Sequence, residues 1–521
     1  MFALAALAAF AVVVLLPVAC VLAKALFEDS GAYANVLLDS RQWGLLRNSL
    51  LLAGGTSALA GIAGASAAIA LTRVPAPWRA VLTGLLAIPV LVPPHIAAIA
   101  WVDLLGRNGI FVVQFSGLNT KALTWPGMFH MSGVIWALGI SWYPIVMAAT
   151  LAALNRFDGR LLEAARLAGQ HRRAFHGIML PLLLPGISTG MLLVFVYTLV
   201  SFAVPSLLQV NTYPVEINAL SAVFDYAGAT IQALPLAALC ALAGILWAVY
   251  VRPRHAWLSG RARALPAPAN RVSQMIGVAY CILILFVAIV LPLGVTMLRA
   301  LPLRTFYDVW VTAQKELLTS VFVSIATATL AAALAFLLAT TLRRRASGAA
   351  LALSVLPLGI TGGALGLGLI ALWNHHGPAG WVYDSLAIVV VGCAARFFIF
   401  AYAGMLAGTR RLDPRLDEAA AVAGLTWCSR TTGIALPLLS PYLAAVWGLV
   451  FVLTMGEVDT SVLVCPPGET TLSIRLFSLM HYGPDSYVAA LSLLTVALVI
   501  GMTACAAFGY SRLKAWTHAR H

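Results

Sequence analysis

Long apolar runs recur along the chain, separated by short polar or basic stretches. A helix needs about 20 apolar residues to cross about 30 Å of hydrocarbon. Twelve runs meet that requirement, near 2–24, 46–71, 80–105, 131–154, 181–208, 231–251, 274–298, 317–342, 350–373, 383–408, 437–464 and 486–510. The pattern predicts an all-α polytopic membrane protein of about twelve spans. The third and ninth runs are interrupted by Pro and Gly, as "IPVLVPPHIAAIAW" and "LPLGITGGALGLGLIALW". Such breaks are tolerated in a bilayer only where neighbouring helices or a cavity satisfy the freed backbone groups. The first run, "MFALAALAAFAVVVLLPVACVLAKALF", exceeds 20 apolar residues and lacks a basic start. It reads as a spanning helix that is not cleaved, rather than as a secretory signal.

Composition agrees with the pattern. Of 521 residues, 61% are hydrophobic and 10% charged, against about 45–50% and about 25% in soluble chains. The net charge is +14. In a soluble protein that excess would raise nucleic acid as a partner; here it is explained by basic loops on the cytoplasmic side. Even-numbered spans are followed by clusters such as Arg156, Arg160, Arg166, Arg172 and Arg173, or Arg410, Arg411, Arg415 and Arg430. Odd-numbered spans are followed by most of the acids, such as Glu28, Asp29, Asp39, Glu216 and Asp225. Both termini are therefore expected in the cytoplasm. The seven cysteines are scattered without a CxxC pair, which predicts no disulfide framework and no zinc site.

The halves repeat. "RFDGRLLEAARLAG" at 156–169 aligns with "RLDPRLDEAAAVAG" at 411–424, "IMLPLLLP" at 178–185 with "IALPLLSP" at 434–441, and "LVFVYT" at 193–198 with "LVFVLT" at 449–454. The offset shifts from 255 to 256, so the first copy is one residue shorter between Gly169 and Pro181. With six spans in each copy, the halves have the same orientation and are related by an axis along the membrane normal. The expected domains are a first half, 1–251; a basic, Pro- and Ala-rich cytoplasmic linker, 252–272; a second half, 273–511; and a basic tail, 512–521.

The repeated cassette has helix-start chemistry. Asp413 and Asp158 occupy N-cap places, and Pro414 is a first helical residue. Arg160 and Glu163, like Arg415 and Glu418, are three apart and share a helix face. The alanines after each Glu, Ala164 and Ala165 or Ala419 and Ala420, leave a slim surface. Gly169 and Gly424 turn the chain, as Gly does past a helix C-terminus. The cassette therefore predicts a short helix–turn–helix outside the bilayer. Two copies with matched charges and glycines suit a docking surface better than a plain connector. The spacing Glu-Ala-Ala, three residues, Gly, nine residues, Ile-x-Leu-Pro resembles the EAA loop of type I ABC-importer permeases. Copy two fits in full through Glu418, Gly424, Ile434, Leu436 and Pro437, and copy one lacks one spacer residue. Each six-span half resembles one permease domain of the MetI-like kind. Fused chains of this size resemble permeases for ferric iron, thiamine, phosphonate and polyamines. The resemblance implies a homodimer of cytoplasmic ABC ATPase subunits docked on the two loops, a periplasmic or surface solute-binding protein, and ferric iron as first substrate. A phosphate-binding loop ends in Lys followed by Ser or Thr. None of the four lysines, Lys24, Lys121, Lys315 and Lys514, is so followed. The chain itself is thus expected to be no enzyme and to bind no cofactor, with ATP hydrolysed by partner subunits.

Ionisable residues inside spans are functional candidates. Arg396 lies mid-span, where insertion alone costs roughly 2.5–3.5 kcal/mol; either it contacts an anionic solute or it pairs internally. His95, after Pro93 and Pro94, is either a packing residue or a pathway contact. Glu457 and Asp459 lie about 20 residues past Pro437, hence about 30 Å up a continuous helix. That places them at the outer mouth, as gate or solvated rim. Ser201 stands at the place of Glu457 in the first half. His375 and His376 are weak metal candidates, and no metal is expected. "SIRLFSLMHYG" at 473–483 reads as an amphipathic outer element. The competing class is an ion-coupled secondary transporter. A membrane enzyme is disfavoured because no HExxH occurs.

Overall fold

The computed structural model describes residues 2–27, 33, 39–106, 109–111, 128–155, 177, 179–250, 270–342 and 347–518. In chain order its helices are α1 Leu4–Leu26, α2 Ser40–Arg73, α3 Ala76–Leu91, α4 Pro94–Leu105, α5 Met131–Leu154, α6 Leu180–Leu199, α7 Ala203–Leu207, α8 Tyr213–Ala222, α9 Tyr226–Leu246 and α10 Arg271–Arg299. They continue as α11 Arg304–Thr312, α12 Gln314–Thr341, α13 Ser347–Ser354, α14 Gly362–Trp373, α15 Pro378–Tyr383, α16 Ala387–Thr409, α17 Pro414–Val422, α18 Trp427–Met455, α19 Ser461–Val464, α20 Leu472–Tyr482 and α21 Asp485–His518. No strand occurs among the described residues. Ten of these helices are long and apolar enough to cross a membrane, and α3 with α4 forms a broken pair bent by 90° that would make an eleventh.

The third and ninth spans of the sequence reading are therefore not straight helices. In the third, Pro89 and the pair Pro93–Pro94 remove backbone donors and force the preceding residues out of helical geometry. In the ninth, the eight residues of α13 and the twelve of α14 reach only about 12 and 18 Å. The fifth and eleventh spans also stop early, at Leu199 and Met455, and short helices α7 and α19 follow each stop. The two halves thus share the same pattern of breaks.

By contacts the chain divides into two compact units that cut across the sequence halves. The larger comprises Met1–Asp39, Glu216–Ala237 and Arg304–His521. Its core is the triple packing of α12, α16 and α18, with α1 laid against α12, α14 and α16. Phe10 of α1 meets Phe398 of α16 with ring centroids 5.3 Å apart. The smaller comprises Ser40–Val215 and Ala238–Leu303. Its core is the corresponding triple of α2, α5 and α6, with α10 packed on α2 and α4. Arg299 of α10 pairs with Asp103 of α4 at 3.7 Å. The first span of each sequence half therefore belongs to the unit built mostly from the other half. The boundaries 1–251 and 273–511 describe the repeat, and the units describe the packing.

The repeat is visible in hydrogen bonds as well. In the smaller unit, the backbone N–H of Tyr213, at the start of α8, donates to Ser49 Oγ of α2 at 2.8 Å. In the larger, the N–H of Leu472, at the start of α20, donates to Ser320 Oγ of α12 at 2.6 Å. Each serine satisfies one of the orphan donors that a helix N-terminus leaves. Leu472 and Ser320 are both buried, so Ser320→Ala strands a buried N–H at a cost of about 1–3 kcal/mol. The thermal midpoint of the detergent-solubilised chain is expected to fall by several degrees; an unchanged midpoint would show that the N–H finds another acceptor.

Candidate coupling loop and buried charge cluster

The second cassette forms the predicted helix–turn–helix. Asp413 caps α17, its Oδ1 accepting from the Arg415 N–H at 3.0 Å, with Pro414 as first helical residue. The helix closes in a Schellman motif. Leu425 N–H donates to Ala420 O at 3.1 Å and Gly424 N–H to Ala421 O at 3.0 Å. This closure needs a left-handed residue, which glycine adopts without steric penalty, and Gly424 has φ +78°. Thr426 then caps α18 by accepting from the Ser429 N–H at 3.3 Å. An ion pair ties the two helices, Arg430 Nη1 to Asp417 Oδ1 at 3.1 Å. Glu418 and Ala419 face outward, Val422 is 91% exposed and Leu425 is also exposed, while Ala420 is buried. The result is a small, firmly aimed helix presenting one acid and an apolar edge. In the first cassette, Arg160, Glu163, Ala164, Ala165 and Gly169 lie outside the described residues. There Leu162 stands at the place of Asp417, so the sequence of copy one lacks the acid that makes this clamp.

The larger unit also contains a buried cluster that joins three of the four pathway candidates. Arg396, ten residues into the 23-residue α16, is 0% exposed. Its Nη2 donates to Asp459 Oδ2 at 2.9 Å, its Nε lies 3.6 Å from Glu457 Oε2, and its Nη1 donates to Thr460 Oγ1 at 3.4 Å. Glu457 is 3% and Asp459 6% exposed. Glu457 Oε1 also accepts from the Thr460 N–H at 2.8 Å. Both acids are buried and answered by Arg396, so they do not form a solvated rim. The helix stops at Met455, and residues 456–460 follow as a short non-helical stretch. The acids turn inward because an unpaired guanidinium inside the unit would be far costlier than a paired one.

The broken ninth span closes over this cluster. Gly362 begins α14, with Thr361 Oγ1 capping it by accepting from the Ala364 N–H at 3.3 Å. A Cβ at Gly362 would lie 2.4 Å from Arg396 Nη1 and 2.5 Å from Asp459 Cβ. Only glycine lets the α14 N-terminus approach so closely, and that positive helix end favours the nearby carboxylates. At Gly363 the same construction meets Asn218 Oδ1 of α8 at 2.8 Å.

His95 lies elsewhere, in the smaller unit, in the first turn of α4 just past the 90° bend. It is buried, and its Nε2 has no hydrogen-bond partner among the described residues. Sequence reasoning missed Thr460, Gly362, Asn218 and the Asp417–Arg430 clamp. The signal for Gly362 was the run Thr361–Gly362–Gly363 in the broken ninth span. Nothing local pointed to Asn218, more than 140 residues from its neighbour in the chain.

Residues 59–256 match the family described as the binding-protein-dependent transport system inner membrane component. The chain is 30% identical over 145 residues to the putative 2-aminoethylphosphonate transport system permease protein PhnV of Salmonella paratyphi A, covering 28% of this chain and 54% of that protein. It is 32% identical over 136 residues to the molybdenum transport system permease protein ModB of Escherichia coli K12, covering 25% and 56%. It is 31% identical over 147 residues to the putrescine transport system permease protein PotI of Escherichia coli K12, covering 28% and 51%. The chain spans about half the length of the curated relatives it matches. With ten helices among the described residues long and apolar enough to cross a membrane, and this match, it is a multi-pass inner membrane protein.

Proposed function

We propose that this permease is the membrane-spanning subunit of an ABC importer. It would form the path for a small polar solute that a solute-binding protein delivers. Two cytoplasmic ATPase subunits would dock on the loops at 411–437 and 156–181. The observation that carries the reading is α17: a capped, Schellman-terminated helix with Glu418, Val422 and Leu425 exposed, in a chain whose residues 59–256 match a transport permease. Both termini would then face the cytoplasm, with ATP bound and hydrolysed by the partners. Of the pathway candidates, Arg396, Glu457 and Asp459 would act in the larger unit and His95 in the smaller.

For the solute we put a phosphonate first, since PhnV is named for 2-aminoethylphosphonate, with molybdate and putrescine next. Ferric iron and thiamine rest on the resemblance alone, and none of these relatives' names supports them. One observation favours the second class, an ion-coupled transporter: two acids are buried beside Arg396, as such carriers require.

Proteoliposomes carrying this chain with the ATPase and binding protein encoded beside its gene separate the readings. Uptake of radiolabelled 2-aminoethylphosphonate should require ATP and survive an uncoupler. ATP-independent uptake that collapses with the uncoupler would overturn the importer reading. Uptake of molybdate, putrescine or ferric ion instead would move the solute and leave the class standing.

A further inference from the structure

Helix α11 is nine residues long, about 14 Å, too short to cross a bilayer. It follows the span α10 and precedes the span α12, and it packs against α21. Viewed down its axis at about 100° per residue, its side chains fall into three sectors. Val309, fully buried, and half-buried Phe306 face the protein. Arg304, Asp308 and Thr312 form a second, polar sector. Tyr307, Trp310 and Val311 form a third; Tyr307 is 69% and Trp310 55% exposed, and Val311 is exposed as well.

A helix in water needs two sectors, one buried and one polar. A third that is aromatic, apolar and uncovered needs a medium that is neither protein nor water. Continuity says which. The next helix, α12, is a membrane span, and near its start it exposes Leu318, Phe322 and Ile325 at helical spacing, a face that meets lipid. Tyr and Trp are the residues enriched where a bilayer meets water. The C-terminus of α11 is also held firmly. Arg475 of α20 donates to Thr312 O at 2.8 Å and to Tyr487 Oη at 3.0 Å, and it pairs with Glu316 of α12. Thr312 Oγ1 lies 2.6 Å from the same Tyr487 hydroxyl.

We propose that α11 is an interfacial anchor that lies along the membrane surface. Its Tyr307–Trp310–Val311 face sits in the phospholipid headgroup–acyl boundary, with Arg304 and Asp308 in water. Through the Arg475–Glu316–Tyr487 network the anchor sets the height of α20 and of the start of α21 relative to the bilayer. On the orientation read from the loop charges, this surface is the outer one.

Depth measurement tests the assignment. The full chain carrying Cys428→Ser and Cys505→Ser, the two exposed cysteines, takes one spin label at Tyr307→Cys, Asp308→Cys or Val311→Cys. Each version is reconstituted into phosphatidylethanolamine–phosphatidylglycerol nanodiscs. At 307 and 311, collision with oxygen should exceed collision with a water-soluble nickel chelate several-fold; at 308 the order should reverse. Labels at 307 and 311 as open to the nickel chelate as the label at 308 would overturn the proposal. If labelling disturbs folding, Trp310→Phe provides a second measurement through the difference in tryptophan fluorescence. Quenching of that difference by lipid brominated in the upper acyl chain supports the anchor. Quenching by aqueous acrylamide alone overturns it and leaves the face free for a protein partner.

Discussion

Arg396→Met is expected to be the most damaging single substitution in the larger unit. It leaves Glu457 and Asp459, 3% and 6% exposed, with their shared cation gone. Removing one partner from a buried ion pair costs about 3–5 kcal/mol, a large part of the roughly 5–15 kcal/mol that holds a typical domain together. Size-exclusion profiles of detergent extracts after a heating series should show the midpoint falling by about ten degrees or the monodisperse peak lost altogether. The triple variant Arg396→Met, Glu457→Gln, Asp459→Asn should recover most of that loss, because no net charge is then left inside. A single variant as stable as the parent would show that the cluster is open to water. The triple variant also separates the two readings of Arg396. Restored folding with restored uptake makes the cluster scaffold; restored folding without uptake makes it part of the path.

The second large effect is expected at the coupling loop. In Glu418→Lys with Gly424→Val, the first change reverses the charge at the centre of the exposed face. The second forces a β-branched residue into φ +78°, where an L-residue pays roughly 1–2 kcal/mol, and it breaks the Schellman closure that aims α17. Loss of one docking hot spot costs about 2 kcal/mol or more, roughly thirtyfold in affinity. Co-purification of the ATPase subunits and ATP-driven uptake should both fail, while membrane insertion and the thermal midpoint stay near the parent values. Normal uptake by the double variant would sink the docking role. The matching pair at Glu163 and Gly169 should do less harm, since copy one is a residue shorter and has Leu162 where Asp417 makes the clamp.

Much of this was legible along the chain because its causes are local. Asp413, Pro414 and Gly424 specify where α17 starts and stops by capping and by φ, within a dozen residues. Apolar runs specify spans because a bilayer demands about 20 such residues wherever they occur. Pro93, Pro94 and the Gly362–Gly363 pair announced that the third and ninth spans are weak. What they could not announce is that both spans break outright and that the second break closes over Arg396. The solvated-rim alternative for Glu457 and Asp459 failed because a buried Arg396 more than 60 residues earlier demands them, and that demand leaves no local mark.

By itself, then, the sequence determined that this is an all-α membrane protein, that its halves repeat, and that the second half carries a capped, acid-bearing loop. Periodicity, capping and charge bias act over a few residues or over one bilayer thickness, and each leaves its mark in the order of residues. Only the tertiary structure decided which spans share a core, so that α1 joins α12 and α16 and α10 joins α2 and α4. It alone decided that Arg396 is answered by Glu457 and Asp459, more than 60 residues on. The physical reason is common to both. In an apolar chain nearly every helix face can pack on any other, so partners are chosen by close fit of small residues and by the need to neutralise a buried charge. Those are properties of surfaces brought together by the fold.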